Sequence, residues 1–233
     1  MGSVTQNFLK FFRGSSEQSA ATAAAASAAR ISRRSSGLGE FSRRIAGQEG
    51  LCILDLGCTS AANISRFTNA GHKVCTEDVL LAAQEPSLVM VGEDGKQTLD
   101  ATKFLADNLS YSAGQFDAVL CWDVPDYLPE SLVKPVIGRL ATLTKPGGIL
   151  LAFFHTRDAG PDAPCFRYHV ADNDMLQCQP LCGAPVGRSK VQPPLFRLQR
   201  VFNNRHIENL FKEFASLKFF LARDNVREVL VVR

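Results

Sequence analysis

The chain has 233 residues, of which 45% are hydrophobic and 21% charged, so a sizeable core is expected. Its net charge of +3 hides a division: residues 1–50 carry +4, residues 51–180 carry −7 and residues 181–233 carry +6. Lys and Arg form no dense stripe interleaved with aromatics, so a nucleic-acid partner is not expected. Seven cysteines without a secretory signal read as reduced thiols. No apolar run approaches the roughly 18–20 residues of a membrane span, which makes a cytoplasmic protein the expectation.

Residues 1–36 read as an arm and a linker. Val4, Phe8, Phe11 and Phe12 share one helical face beside Lys10 and Arg13, suited to packing on the domain or to a peripheral membrane contact. Gln6 stands where a myristoylation signal has Ser or Thr, so that reading is rejected. Residues 14–36 are Ala- and Ser-rich, the composition of a linker or, as a minority reading, of an organellar transit peptide. The structural pattern starts at residue 37. Leu38, Phe41 and Ile45 give a lead-in helix that Gly47 ends, and the apolar run 51–56 is a buried strand.

Thr59 or Ser60 caps a helix reaching about Ala70, with Gly71 past its end. A second strand over 72–78 ends on Glu77 and Asp78. A short helix breaks at Glu85-Pro86, and residues 87–91 read as a third strand before the Gly92–Gly95 turn. Residues 100–109 are weakly helical. Residues 116–123 form strand four, closing on Trp122 and Asp123. Leu132, Val133, Val136, Ile137, Leu140 and Leu143 make a helical stripe in which Pro135 places the onset of regular hydrogen bonding just before itself. Lys145-Pro-Gly-Gly148 turns the chain into strand five, 149–154. Residues 157–200 break the rhythm with prolines, an irregular insertion of the kind that often covers substrate. Asn203 or Asn204 caps a last helix, and 217–222 with 227–232 form a closing antiparallel hairpin.

The run Leu51-Cys-Ile-Leu-Asp55-Leu-Gly57-Cys58-Thr59-Ser-Ala61 resembles the first motif of class I S-adenosylmethionine-dependent methyltransferases, an apolar run followed by acid, x, Gly, x, Gly, x, Gly. The terminal hairpin, Asp78, Trp122-Asp123 and the Lys145–Gly148 turn extend the resemblance over residues 38–156 and 203–233. It implies an α/β Rossmann-like three-layer sandwich, with a mostly parallel seven-stranded sheet of order 3-2-1-4-5-7-6 and an antiparallel terminal hairpin. It also implies S-adenosylmethionine as cofactor and methyl transfer to an acceptor, here expected to be a small molecule.

By the same resemblance, Asp55, Gly57, Cys58 and Thr59 form the cofactor loop, and Asp78 accepts hydrogen bonds from both ribose hydroxyls. Asp107 contacts the adenine amino group, and Trp122 and Asp123 lie beside the cofactor's reactive end. Thr59 and Ala61 replace two glycines of the motif, adding a Cβ where the family keeps the backbone bare. Two alternatives therefore stay open: a non-catalytic binding or interaction module on the same fold, and a nicotinamide-dependent oxidoreductase. Where an acceptor must lose a proton, His155 at the end of strand five is the candidate base, with His169 behind it. Cys165, His169, Cys178 and Cys182 have zinc-compatible chemistry at a looser spacing than the CxxC knuckle, and no metal is expected.

Overall fold

The computed structural model describes residues 30–92, 95–158, 160, 163–182, 194–221 and 224–233. The helical arm expected over residues 1–13 falls outside the described residues. In chain order the elements are β1 (Ile31–Arg34), α1 (Ser36–Ile45), β2 (Cys52–Leu56), α2 (Ala61–Asn69), β3 (Lys73–Glu77), α3 (Val79–Ala82), β4 (Val89–Val91), β5 (Gln97–Leu99) and α4 (Ala101–Asn108). They continue with β6 (Phe116–Trp122), α5 (Val124–Tyr127), α6 (Glu130–Leu143), β7 (Thr144–His155), β8 (Cys165–Val170), β9 (Met175–Leu181), α7 (Asn204–Leu210), β10 (Ser216–Leu221) and β11 (Val226–Val232).

Six strands form the central sheet in the order β10-β11-β7-β6-β2-β3. The β3-β2, β2-β6 and β6-β7 pairs are parallel, whereas β7-β11 and β11-β10 are antiparallel. Alternation along the strands divides the core. Leu54, Val119, Leu150, Phe154 and Val229 face α6, α7 and α4. Ile53, Leu120, Trp122, Leu151 and Phe153 face α1, α2 and a second, three-stranded sheet. Each such fully buried aliphatic or aromatic side chain contributes about 1.5–3 kcal/mol.

Local chemistry explains the helix starts. Ser35 Oγ accepts from the Leu38 amide at 3.0 Å, opening α1, whose Leu38 and Phe41 are fully buried. Gly37 lets α1 approach β7 and β11. A Cβ there would lie 2.9 Å from Leu151 Cδ1 and 3.0 Å from Glu228 Oε2. Asp117 joins three strands at their amino-terminal ends, accepting from the Cys52 amide at 2.8 Å and Lys145 Nζ at 2.7 Å.

Four expectations are corrected. The segment read as a third sheet strand pairs instead with Gln97–Leu99 as a separate antiparallel ribbon, so the sheet has six strands and ends at β3. That segment is only three residues long, and the chain reverses within a few residues of it. Helix α6 starts at Glu130 and runs through Pro135, and β7 starts at Thr144, absorbing the expected turn. The supposed linker ends early, since Ile31–Arg34 is a strand. The insertion is not irregular throughout: it contains β8 and β9, which pair antiparallel, and β9 also pairs with β1. Alternation in Met175-Leu-Gln-Cys-Gln-Pro-Leu181 and the Asp-Asn turn before it were the readable signals, diluted by nearby prolines.

Candidate functional site

The site is built where β2 hands over to α2. Gly57 has φ +90°, a backbone state L side chains rarely adopt, and its amide donates to the Glu77 carbonyl at 2.8 Å. Among the described residues, the non-glycine positions with positive φ are Trp122 and Asn225. Thr59 and Ala61 therefore need no glycine conformation, which removes one objection to the altered motif. Both are exposed. Ser60 caps α2, accepting from the Asn63 amide at 3.2 Å.

Beneath this loop lies a buried polar network. Asp55 is 4% exposed; its Oδ1 accepts from Trp122 Nε1 at 2.6 Å and its Oδ2 from Asn63 Nδ2 at 2.8 Å. Burial pushes its carboxyl up to about 6, against the two hydrogen bonds. Asn63 is oriented from the other side, since its Oδ1 accepts from the Val170 amide at 2.7 Å. Asp123 accepts from the Tyr168 hydroxyl at 2.7 Å, and burial raises it also to about 6.

The partners Val170 and Tyr168 belong to the β8–β9 hairpin, which lies across the carboxyl end of the sheet. Tyr168 stacks on Trp122 with ring centroids 5.1 Å apart and an interplanar angle of 15°. Arg167 places Nε 3.1 Å and Nη2 2.7 Å from Cys58 Sγ. Burial raises the Cys58 thiol, and Arg167 opposes that shift. His169 Nδ1 lies 2.8 Å from Ser60 Oγ and its Nε2 lies 3.0 Å from Gln179 Oε1. With Ser60 Oγ donating to Nδ1, the ring's Nε2–H donates to Gln179. This engagement removes His169 from the candidate bases.

The space between Gly57, Cys58, Trp122, Asp123, Arg167 and Tyr168 has a volume of about 10 Å³. Small-molecule sites take about 300–1,000 Å³. With the hairpin seated, these residues therefore do not fit S-adenosylmethionine, although the turn at Gly57 and the acid at Asp78 match the family pattern.

His155 ends β7 beside a different space. Asp126 Oδ2 accepts from its backbone amide at 2.6 Å and lies 2.8 Å from its Nδ1. This arrangement fixes a proton on Nδ1 and leaves Nε2 without a hydrogen bond among the described residues. Burial pulls the imidazole down, but the Asp126 hydrogen bond and the charges of Asp123 and Asp126 outweigh it and raise His155 overall. His155 lines a cavity of about 830 Å³ that includes Arg33, Arg157, Phe166, Tyr168 and Val226. Phe166 and Tyr168 also bound the 10 Å³ space, so one wall separates the two.

Asp55, Gly57, Cys58, Trp122 and Asp123 thus converge at the ends of β2 and β6. Asp78 sits half-buried at the end of β3, where its Oδ1 caps α3 by accepting from the Leu81 amide at 3.1 Å. Glu77, the neighbouring acid, is engaged by the Tyr111 hydroxyl. Asp107 is not brought in: it is exposed on α4 and paired with Lys103 at 2.7 Å. Among the described residues no three His, Cys, Asp or Glu side chains gather as a metal site, so the Cys165, His169, Cys178 and Cys182 set is not assembled. Sequence reasoning missed Asn63, Asp126, Arg167, Tyr168 and Gln179. Only Asp126, spaced three residues from Asp123, left a trace in the sequence.

An open α/β sheet with an antiparallel terminal strand pair, a glycine turn after its first parallel strand and acids at the following strand ends defines a Rossmann-like α/β domain. A family model described as a methyltransferase domain matches residues 28–214, and the chain belongs to that family. It is 30% identical over 119 residues to the ubiquinone biosynthesis O-methyltransferase of Xanthomonas axonopodis pv. citri (strain 306), covering 49% of this chain and 46% of that one. The matched region thus spans about half the length of that curated relative. Among solved structures it is similar to a SAM-dependent methyltransferase of Methanosarcina mazei, with 16% identity, 80% and 93% of the two chains covered and a TM-score of 0.44. Magnesium protoporphyrin IX methyltransferase of Synechocystis PCC 6803 with bound SAM gives 17% identity, 100% and 86% coverage and a TM-score of 0.42. No helix among the described residues is long and apolar enough to cross a membrane.

Proposed function

We propose that this chain is an S-adenosylmethionine-dependent methyltransferase acting on a small molecule held beside His155. The observation that carries the reading is the Asp126–His155 pair at the edge of an 830 Å³ cavity whose wall, Phe166 and Tyr168, also bounds the small space beside Gly57 and Cys58. In this reading Asp55, Gly57, Cys58, Thr59, Asp78, Trp122 and Asp123 would line the cofactor side only with Arg167 and Tyr168 out of the space that they fill here. Asp78 is the ribose ligand; it can exchange its α3 cap for two hydroxyl donors because it is half-buried and close to solvent. Held by the Gly57 loop and Asp78, the cofactor would supply the methyl group. The chain's own contribution is to hold the acceptor, exclude water and remove its proton at His155 Nε2, with Asp126 stabilising the resulting imidazolium.

Calorimetric titration with S-adenosylhomocysteine tests the reading, with Asp78→Ala expected to weaken binding at least tenfold. Binding unaltered by Asp78→Ala would misplace the ribose, and absence of heat at millimolar ligand would remove the cofactor. Activity is expected to rise with pH through a midpoint above the ordinary histidine value, because His155 must be neutral to act. A second reading, a non-catalytic module on the same fold, is favoured by the nearly filled space at Trp122 and by the full occupancy of both Asp55 oxygens within the protein.

A further inference from the structure

The central sheet stops at β3, and among the described residues no further strand bonds to its outer edge. Two hydrogen bonds show which way the backbone of β3 faces. The Lys73 amide donates to the Leu51 carbonyl at 2.7 Å, and the Glu77 carbonyl accepts from the Gly57 amide at 2.8 Å. Alternate residues of a strand turn their backbone groups the same way. Lys73, Cys75 and Glu77 therefore bond towards β2, while Val74 and Thr76 present their amides and carbonyls outward.

The strand is complementary to itself. An identical strand lying antiparallel satisfies both outward residues in one register, with Val74 opposite Thr76 of the second copy and Thr76 opposite its Val74. In that register Cys75 faces Cys75, and Lys73 faces Glu77 at both ends. Opposite charges directly across two strands stabilise the pair, and like charges destabilise it. Glu77 is held ready, since the Tyr111 hydroxyl donates to its Oε1. The other margin of the sheet is built differently: β10 carries Lys218 and no acid, so pairing with its own copy finds no complementary charge.

We infer that the outer edge of β3 is a self-association surface, through which two copies of this chain form a twofold dimer with one continuous sheet centred on Cys75. The contact is isologous, since each copy presents the same strand, and it closes after two copies. It covers the outward backbone groups of Val74 and Thr76, which a single chain leaves to water. It does not depend on the methyltransferase reading. A five-residue strand makes a small interface, so the dimer is reversible and depends on concentration. The two Lys73–Glu77 pairs lie at the surface, so the dimer also weakens in salt.

The test is sedimentation equilibrium of the full chain from micromolar to near-millimolar concentration, where the mass should rise from that of one chain towards that of two. Lys73→Glu, at an exposed position, sets acid against acid in both symmetry-related pairs and should weaken dimerisation about tenfold. A thermal melt checks that this variant keeps its fold. Diamide, which takes up the two thiol hydrogens as a disulfide forms, should link the copies through Cys75. Directly opposed residues that share no backbone bonds have Cα atoms about 4.5 Å apart, within the span of a disulfide. Peptide mapping should find the Cys75–Cys75 bond, and Cys75→Ser should abolish the link. A wild type that stays monomeric over the whole range overturns the dimer. A dimer that Lys73→Glu leaves as tight as before, or that diamide does not link through Cys75, overturns the β3 surface.

Discussion

Raising the pH from about 4.5 to about 7.5 should destabilise this protein, and the reason is the pair of buried acids under the loop after β2. Asp55 and Asp123 each rise from an ordinary 3.8 to about 6 in the fold, chiefly by burial. A carboxyl whose folded value is raised favours the folded state while protonated, so that stability is present below the unfolded value and is lost as pH climbs through about 6. At about 1.4 kcal/mol per unit, each acid should withdraw about 2 kcal/mol across that interval, about 4 kcal/mol together. Asp126 and His155, both raised, push in the same direction, and His169, lowered by burial, opposes them. Trp122 is the single tryptophan, buried and bonded to Asp55, so its fluorescence reports urea unfolding from inside the network. Far-ultraviolet circular dichroism checks that the transition is two-state. Asp55→Asn should lower stability outright, since its amide would face the Asn63 donor. It should also remove about half of the pH slope, which is the deciding readout. A wild type more stable at the higher pH, or a slope untouched by Asp55→Asn, would refute the account.

Two further outcomes follow from the packing. Glu228, 1% exposed, accepts from Arg33 Nη2 and from the Gly37 amide, each at 2.6 Å, and so fastens β1 and α1 to β11. Glu228→Ala leaves Arg33 with Asp224 as its acid partner and the buried Gly37 amide without its acceptor, and should cost about 2–3 kcal/mol, lowering Tm by about 5–10 °C, with Glu228→Gln milder because it still accepts from Gly37. Gly57→Ala meets no steric obstacle nearer than Val124 at 3.7 Å, yet the φ of +90° should cost about 1–2 kcal/mol and weaken S-adenosylhomocysteine binding. A thermal melt and a titration on the same preparation check both effects.

The elements that build the central sheet were legible because each carries its own signal. The apolar runs of β2, β6 and β7 cannot be exposed, and the short connection between β10 and β11 admits only an antiparallel pair. The third strand misled because apolar composition at Val89–Val91 shows that a strand forms, not which strand it pairs with. The turn at Gly57 was readable to the residue, since a glycine with positive φ after a buried strand leaves a fixed mark. The contents of the cleft were not. Arg167 and Tyr168 reach it from more than a hundred residues downstream, through a hairpin whose placement depends on Asn63, Ser60 and the core under α1. No local pattern encodes such a meeting. Asp107 failed for the converse reason: its sequence neighbourhood matched, but the helix turns its side chain outward to Lys103.

The sheet that ends at β3 has a consequence for the molecule's behaviour in a crowd. A terminal strand presents a row of backbone donors and acceptors to any passing chain, a template for unwanted pairing. Lys73 and Glu77 stand at the two ends of this strand, opposite charges that a second, identical strand lying antiparallel would bring face to face. The exposed Val89, Met90 and Val91 add apolar surface. The fold thus ends its sheet at a margin kept in check by the brevity of a five-residue strand, not by electrostatic repulsion.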